Sequence, residues 1–335
     1  MKAICMRKPG GPEVLELQEV DSPAAQKGEA LVQLQASAIN HLDIWIRMGL
    51  VPVTLPRILG LEGAGVVLDA QDSTRFKNGD QVVVTPWLYP DPPYDRPFNL
   101  SVRLLGVAQD GCYAEKIAVP ETALLPLPQG FSCEEGAALP LAYVTAYHMI
   151  VTRAKVEPGE TVLVTGASGG VGVAAIQILR HLGVRILALT RQEAKVPKLQ
   201  AQGAEVVLIQ NNHFSDAVHR LTRGQGVDCV IEQVGAAIWD EVFATVRAGG
   251  RIITCGTTSG AVHPVNLQAL YRREIALLGA YAGTPDEMKK VFVMAGMNLL
   301  RPPIAAIFPL AEAAKAHQMM EEARHFGKII LKIGE

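Results

Sequence analysis

The chain has 335 residues and a formal net charge of -2, with 49% hydrophobic and 19% charged residues. Its length exceeds the usual single domain, so two domains are expected, and the apolar fraction suits large cores rather than disorder. The small charge offers no bulk attraction to nucleic acid or to an anionic membrane, and no run of about eighteen apolar residues predicts a spanning helix.

The opening residues, MKAICMRKPGGPEVLEL, lack the continuous apolar core of a signal peptide, so a cytoplasmic protein is expected. The next stretches are short and alternating: Ala30–Ala36, Gly63–Leu68, Gln81–Thr85 and Ala114–Val119. Turn signals separate them, at Pro9-Gly10-Gly11, Asn78-Gly79-Asp80 and Asp110-Gly111. This pattern predicts a small barrel or sandwich over residues 1–141. One helix, His41–Met48, interrupts it and is closed by Gly49. Five prolines in Pro86–Pro97 predict an irregular surface lobe. The five cysteines (Cys5, Cys112, Cys133, Cys229 and Cys255) lie far apart and form no C-x-x-C pair. Neither a disulfide framework nor a cysteine zinc site is expected.

From residue 142 to 281 apolar runs alternate with helical segments. The runs are Thr161–Thr165, Arg185–Thr190, Glu205–Ile209, Val227–Gln233, Arg251–Cys255 and Ile275–Tyr281. Such alternation predicts a doubly wound α/β Rossmann sheet of six parallel strands. The first strand runs into GASGGVG, Gly166–Gly172, and then into a helix with Val171, Ala174, Ala175, Ile178, Leu179 and Leu182 at helical spacing. Ala167-x-Gly169-x-x-Gly172 reads as a dinucleotide fingerprint whose first glycine is alanine. The backbone of Ala167, Ser168, Gly169, Gly170, Val171 and Gly172 would cradle a pyrophosphate at the helix N-terminus. Alone the motif could be a bland strand–turn–helix corner; its place on the first strand of the series favours the dinucleotide.

The second strand ends Thr190-Arg191-Gln192, without the acid that accepts from the ribose hydroxyls of NAD. Thr190, Arg191 and Lys195 offer a hydroxyl and two cations for a 2′-phosphate, so NADPH is expected. Glu193 is assigned to the following helix N-terminus. In residues 282–335, Thr284-Pro285 predicts a helix start, followed by helix Ala311–Arg324 and strand Ile329–Ile333. This tail is expected to return to the first domain.

The chain resembles the medium-chain dehydrogenase/reductase superfamily, in particular its quinone oxidoreductase-like and zinc-type alcohol dehydrogenase-like members. The resemblance rests on Asn40-His41-Leu42-Asp43, Arg47-x-Gly49, Gly60-Leu61-Glu62-Gly63-Ala64-Gly65, Gly79-Asp80, Pro140 to Tyr147, Gly166–Gly172, Cys255–Gly260 and Phe326-Gly327-Lys328. It implies a GroES-like β-barrel beside the Rossmann domain, an active site in the cleft between them, and a homodimer. The apolar edge strand Ile275–Tyr281 invites such pairing.

By motif, the positions of the catalytic zinc ligands in alcohol dehydrogenases are Asn40, Leu61 and Leu141. Leucine has no lone pair to give and an amide is a poor zinc ligand, so no metal is expected. Relatives without zinc reduce quinones or conjugated carbonyls, which need positioning more than a metal. The small-molecule acceptor here is therefore expected to be a quinone, enone or enal, with Asn40 polarising its carbonyl. Trp45, Leu61, Trp87 and Tyr89 are candidate pocket walls, although Trp45 equally reads as a core residue. The resemblance puts His41 near the pyrophosphate and Thr145 at the nicotinamide. It also puts Val234, Gly256, Thr257 and Tyr281 along the cofactor cleft, and Lys328 over the pyrophosphate. Asp43 and Glu62 read as structural polar groups between helix and barrel, with a general acid/base pair as the alternative. Two other readings remain: a zinc-type alcohol dehydrogenase, and an NADPH-binding scaffold without turnover.

Overall fold

The computed structural model of the chain describes residues 1–89, 102–209 and 213–334. Residues 90–97 of the expected proline-rich lobe lie outside them. The chain divides into two units, Met1–Leu141 with Arg301–Glu335, and Ala142–Leu300.

The first unit is built on a ten-residue strand, Glu29–Ala38. Along one edge it pairs antiparallel with Gly63–Asp69, which leads on to Gln81–Val84 and Leu124–Pro126. Its other edge is shared: Glu29–Gln33 pairs with Lys116–Pro120, and Ala36–Ala38 with Lys328–Lys332. The sheet therefore forks, and the described strands do not close into the expected barrel. A second sheet joins Leu15–Glu19, Lys2–Met6 and Arg57–Ile58. One apolar core serves both, with Ile4, Met6, Leu34, Val84, Val119, Ile329 and Leu331 almost fully buried. Its last part is a parallel pair, Ile304–Pro309 with Lys328–Lys332, whose connection carries helix Ala313–Glu321.

The second unit is a six-stranded, all-parallel sheet. From edge to edge the strands are Val206–Ile209, Arg185–Thr190, Thr161–Val164, Val227–Glu232, Val246–Thr254 and Ala276–Gly279. In chain order this is 3-2-1-4-5-6, which reverses beside the first strand. A dinucleotide sheet opens its ligand crevice at that reversal, at the carboxyl ends of the strands. The segment 282–300 packs with this unit rather than returning to the first. Helix Pro285–Gly296 buries Met288, Val291, Phe292 and Ala295, and the return begins at Arg301. No described helix is long and apolar enough to cross a membrane.

Candidate active site

In the first unit the central strand delivers Ile39 and Asn40 to the start of helix His41–Arg47. Asn40 is extended and caps the helix, and the Asp43 carboxylate accepts its backbone N–H at 2.9 Å. The other Asp43 oxygen accepts the Gly60 N–H at 3.2 Å. Gly60 must be glycine, because its φ is +100° and a Cβ would lie 2.7 Å from the Tyr113 nitrogen. This holds the Gly60–Glu62 segment against the helix start.

Glu62 is fully buried there, and Lys328 reaches it from the start of the returning strand. The Lys328 ammonium donates to Glu62 Oε1 at 2.9 Å, Asn40 Oδ1 at 2.5 Å and the Ile39 carbonyl at 3.1 Å. Asn40 Nδ2 donates to Glu62 Oε1 at 2.9 Å and the Ala38 carbonyl at 3.3 Å. The Leu141 N–H donates to Glu62 Oε2 at 2.6 Å. An ammonium has three hydrogens and an amide nitrogen two, so every donor of Lys328 and Asn40 is used.

Two expectations change. Asn40 has no amide hydrogen left for a substrate carbonyl in this arrangement. Lys328 is turned inward and 3% exposed, pairing with Glu62 rather than lying over a pyrophosphate. His41 is half-buried, and burial and the nearby Lys328 charge pull its pKa down to about 4. It is therefore neutral at neutral pH. Leu61 and Trp87 are buried within the unit, and Trp45 and Tyr89 are half-buried. A cavity of about 360 Å³ in this unit lies beside Gln33, Gln35, Gln81, Cys133 and Lys332, none of them a predicted pocket wall.

Behind Asp43 a second buried chain runs through Tyr113 to His317, whose Nε2 lies 3.1 Å from the Tyr113 hydroxyl. Burial, then the Arg47 charge, lower the His317 pKa to about 3. The folded chain thus binds fewer protons than the unfolded chain between that value and 6.5. Stability present above 6.5 is lost as the pH falls toward 3. Asp43, raised to about 7 chiefly by burial, acts oppositely and removes stability as the pH rises toward that value. Substitution His317→Gln should flatten only the acid limb. Urea denaturation of native and variant chains at about pH 7 and about pH 5 checks this, and equal acid losses would refute the assignment.

In the second unit, strand Thr161–Val164 ends at the glycine turn, and helix Gly170–His181 starts from it with Gly169 as N-cap. The first N–H groups of a twelve-residue helix have no intrahelical partner and point at the turn. A Cβ on Gly172 would meet the Gly166 carbonyl oxygen at 2.5 Å and Ala167 Cα at 2.6 Å, so the helix packs tightly on the turn. Thr190 is buried at the end of the second strand, and Arg191 is exposed. Lys195 Nζ lies 3.3 Å from Ser168 Oγ, which brings the second-strand end to the glycine turn.

Sequence reasoning missed Glu232, which is fully buried at the end of the fourth strand. Its Oε1 accepts the N–H groups of Val234 and Gly235 at 2.6 and 2.8 Å, and its Oε2 accepts the Thr254 hydroxyl at 3.0 Å. That carboxylate shapes the loop carrying Val234 and ties it to the strand before Gly256 and Thr257. Gly256 packs on this loop, since a Cβ would lie 2.6 Å from the Gln233 carbonyl oxygen. Gly166 borders the same loop at Gln233 and Val234. The one sequence signal was an acid closing an apolar run, VDCVIE. Thr145 is half-buried on helix Pro140–Tyr147, and Tyr281 is 59% exposed beyond the last strand.

Residues 26–129 match the alcohol dehydrogenase GroES-like domain, and residues 170–295 match the zinc-binding dehydrogenase family. A quinone oxidoreductase from Pseudomonas aeruginosa is 31% identical over 334 residues, covering 96% of each chain. The chain belongs to the medium-chain dehydrogenase/reductase superfamily. As a member it is an oxidoreductase enzyme. An acryloyl-coenzyme A reductase from Metallosphaera sedula is 28% identical, covering 99% of each chain. Among solved members, a structure titled as an NAD-dependent alcohol dehydrogenase has a TM-score of 0.95 and 34% identity, covering 100% of both chains. A mycobacterial protein complexed with NADPH has a TM-score of 0.86 and 28% identity, covering 99% of this chain and 100% of its own.

The superfamily includes zinc enzymes, but the donors here do not fit that ion. Leu61 and Leu141 have no side-chain donor atom, and Asn40 and Glu62 already surround an ammonium.

Proposed function

We propose that the protein uses NADPH to reduce a quinone or an α,β-unsaturated carbonyl, without zinc. The observation that carries this reading is the closed Asn40–Glu62–Lys328 cluster, which takes up Asn40, one of the three positions that correspond by motif to the zinc ligands of alcohol dehydrogenases. Without a Lewis acid there, the acceptor must arrive already activated by conjugation. A quinone and an acrylyl thioester, the substrate classes in the names of two relatives, both have that property. Bound NADPH would supply the hydride. The glycine turn would hold its pyrophosphate, and Thr190, Arg191 and Lys195 its 2′-phosphate. Lys195 supports this role, because burial and the neighbouring Lys198 charge lower its pKa, and a phosphate would offset both effects.

Two measurements test the reading together: NADPH oxidation across a panel of quinones, enones and enals, and cofactor binding followed by fluorescence. Turnover with at least one acceptor is expected; binding without turnover would replace this reading with the scaffold. The NAD-dependent neighbour makes NADH the rival cofactor, and a lower KM for NADH would overturn the preference. Replacing both Arg191 and Lys195 by alanine should raise the KM for NADPH about tenfold or more and leave that for NADH unchanged.

The reading includes a homodimer formed through the edge strand Ala276–Gly279, most of whose residues are exposed. Leu277, Tyr281 and Tyr271 add exposed apolar area beside that edge. Leu277→Lys should give a monomer by light scattering, and a native monomer would refute the pairing.

A further inference from the structure

The geometry points to His148 and Glu287 as a positioning pair for the nicotinamide end of the cofactor site, an inference that rests on the dinucleotide reading above. Helix Pro140–Tyr147, which carries Thr145, continues as a π-helix over His148–Arg153. Its wider turn is marked by the Ala154 N–H donating to the Met149 carbonyl at 2.8 Å. Such turns recur where a helix is bent to serve a site.

Here the π-helix turns three side chains toward one segment, Gly279–Glu287. His148 Nδ1 lies 2.9 and 3.1 Å from the two Glu287 carboxylate oxygens. The Thr152 hydroxyl donates to Glu287 Oε1. Arg153 Nε donates to the Gly279 carbonyl at 2.9 Å. Both His148 and Glu287 are buried.

Helix capping alone does not account for this. As the third residue of helix Pro285–Gly296, Glu287 already completes a capping box, accepting the Thr284 N–H at 2.6 Å. A cap asks no more of it. The further donors come from the helix that carries Thr145. Burial opposes the carboxylate charge, yet the hydrogen bonds from His148, Thr152 and Thr284 hold its pKa below the ordinary range. Between Gly279 and Glu287 the loop is pressed onto the same helix. Ala282 has a left-handed φ of +57°, which is strained for a side chain with a Cβ. A Cβ on Gly283 would lie 2.3 Å from Val144 Cγ1. The pair thus locks the loop carrying Tyr281, assigned to the cofactor cleft, to the helix carrying Thr145, assigned to the nicotinamide. The glycine turn and Thr190–Lys195 lie on other elements.

The test compares two ligands on the intact protein: NADPH, and adenosine 2′,5′-bisphosphate, which lacks the nicotinamide. His148→Phe should weaken NADPH about tenfold, roughly one lost hydrogen bond's effect, and leave the bisphosphate unchanged. His148→Asn, whose amide nitrogen can take the place of Nδ1, should restore NADPH binding. Parallel weakening of both ligands would show a merely structural role and overturn the inference, as would unchanged NADPH binding. A native protein that binds neither ligand would remove the dinucleotide reading and this one with it.

Discussion

Gly172→Ala should lose both stability and NADPH affinity, whereas Gly169→Ala should lose affinity alone. At Gly172 the new methyl would meet main-chain atoms of Gly166 and Ala167 at 2.5 to 2.7 Å. Those atoms cannot swing aside as a side chain would. Gly166 sits at a φ of +53°, and the Ala167 N–H is held by the Leu189 carbonyl at 3.3 Å. The helix must therefore back away from the turn, at a cost of about 1–3 kcal/mol typical of overpacking. Its N-terminal N–H groups move with it, so NADPH binding should fall at least about a hundredfold. At Gly169 the nearest atom to a new Cβ is the Gly166 carbonyl oxygen at 3.4 Å, an ordinary contact. A methyl there leaves the fold alone and collides only with a bound pyrophosphate. Thermal melts and fluorescence titrations separate the two. If Gly169→Ala binds NADPH as well as the native chain, the turn is not the pyrophosphate seat.

The second large effect concerns Lys328. Lys328→Met strands the Glu62 carboxylate, which is fully buried. Removing one partner of a buried ion pair typically costs about 3–5 kcal/mol. Adding Glu62→Gln should recover part of that loss, because the remaining polar group is then neutral. The double-mutant cycle in urea measures the coupling directly. A loss below about 1 kcal/mol for Lys328→Met, the range of an exposed pair, would show that the cluster is solvated.

The sequence revealed the second unit better than the first. Its strands and glycine turn are set by local rules: apolar runs of strand length, a glycine where a Cβ would clash, and helices between. Boundaries slipped where tertiary pairing won. Strand Val246–Thr254 begins five residues before the apolar run at Arg251, because Val246 pairs with Val227 and is buried. Helix Pro285–Gly296 was legible from its Thr284 cap, but its membership of the second unit depends on the distant partner His148. The polar cluster was least legible. Asn40, Glu62 and Lys328 could each be singled out by motif, yet their roles follow from hydrogen bonds spanning 266 and 288 residues. Those bonds exist because Lys328–Lys332 slots between Glu29–Ala38 and Ile304–Pro309. No local pattern encodes that insertion.

The same insertion constrains the order in which a nascent chain can fold. The second unit is continuous, so it can collapse as soon as Leu300 has left the ribosome. The first unit must wait. Until Lys328–Lys332 emerges, Ala36–Ala38 is unpaired along that edge of the Glu29–Ala38 strand and Glu62 has no countercharge. During that interval the amino-terminal strands expose an edge able to pair with a neighbouring chain. Crowded synthesis or slow refolding is when this protein is most exposed to aggregation.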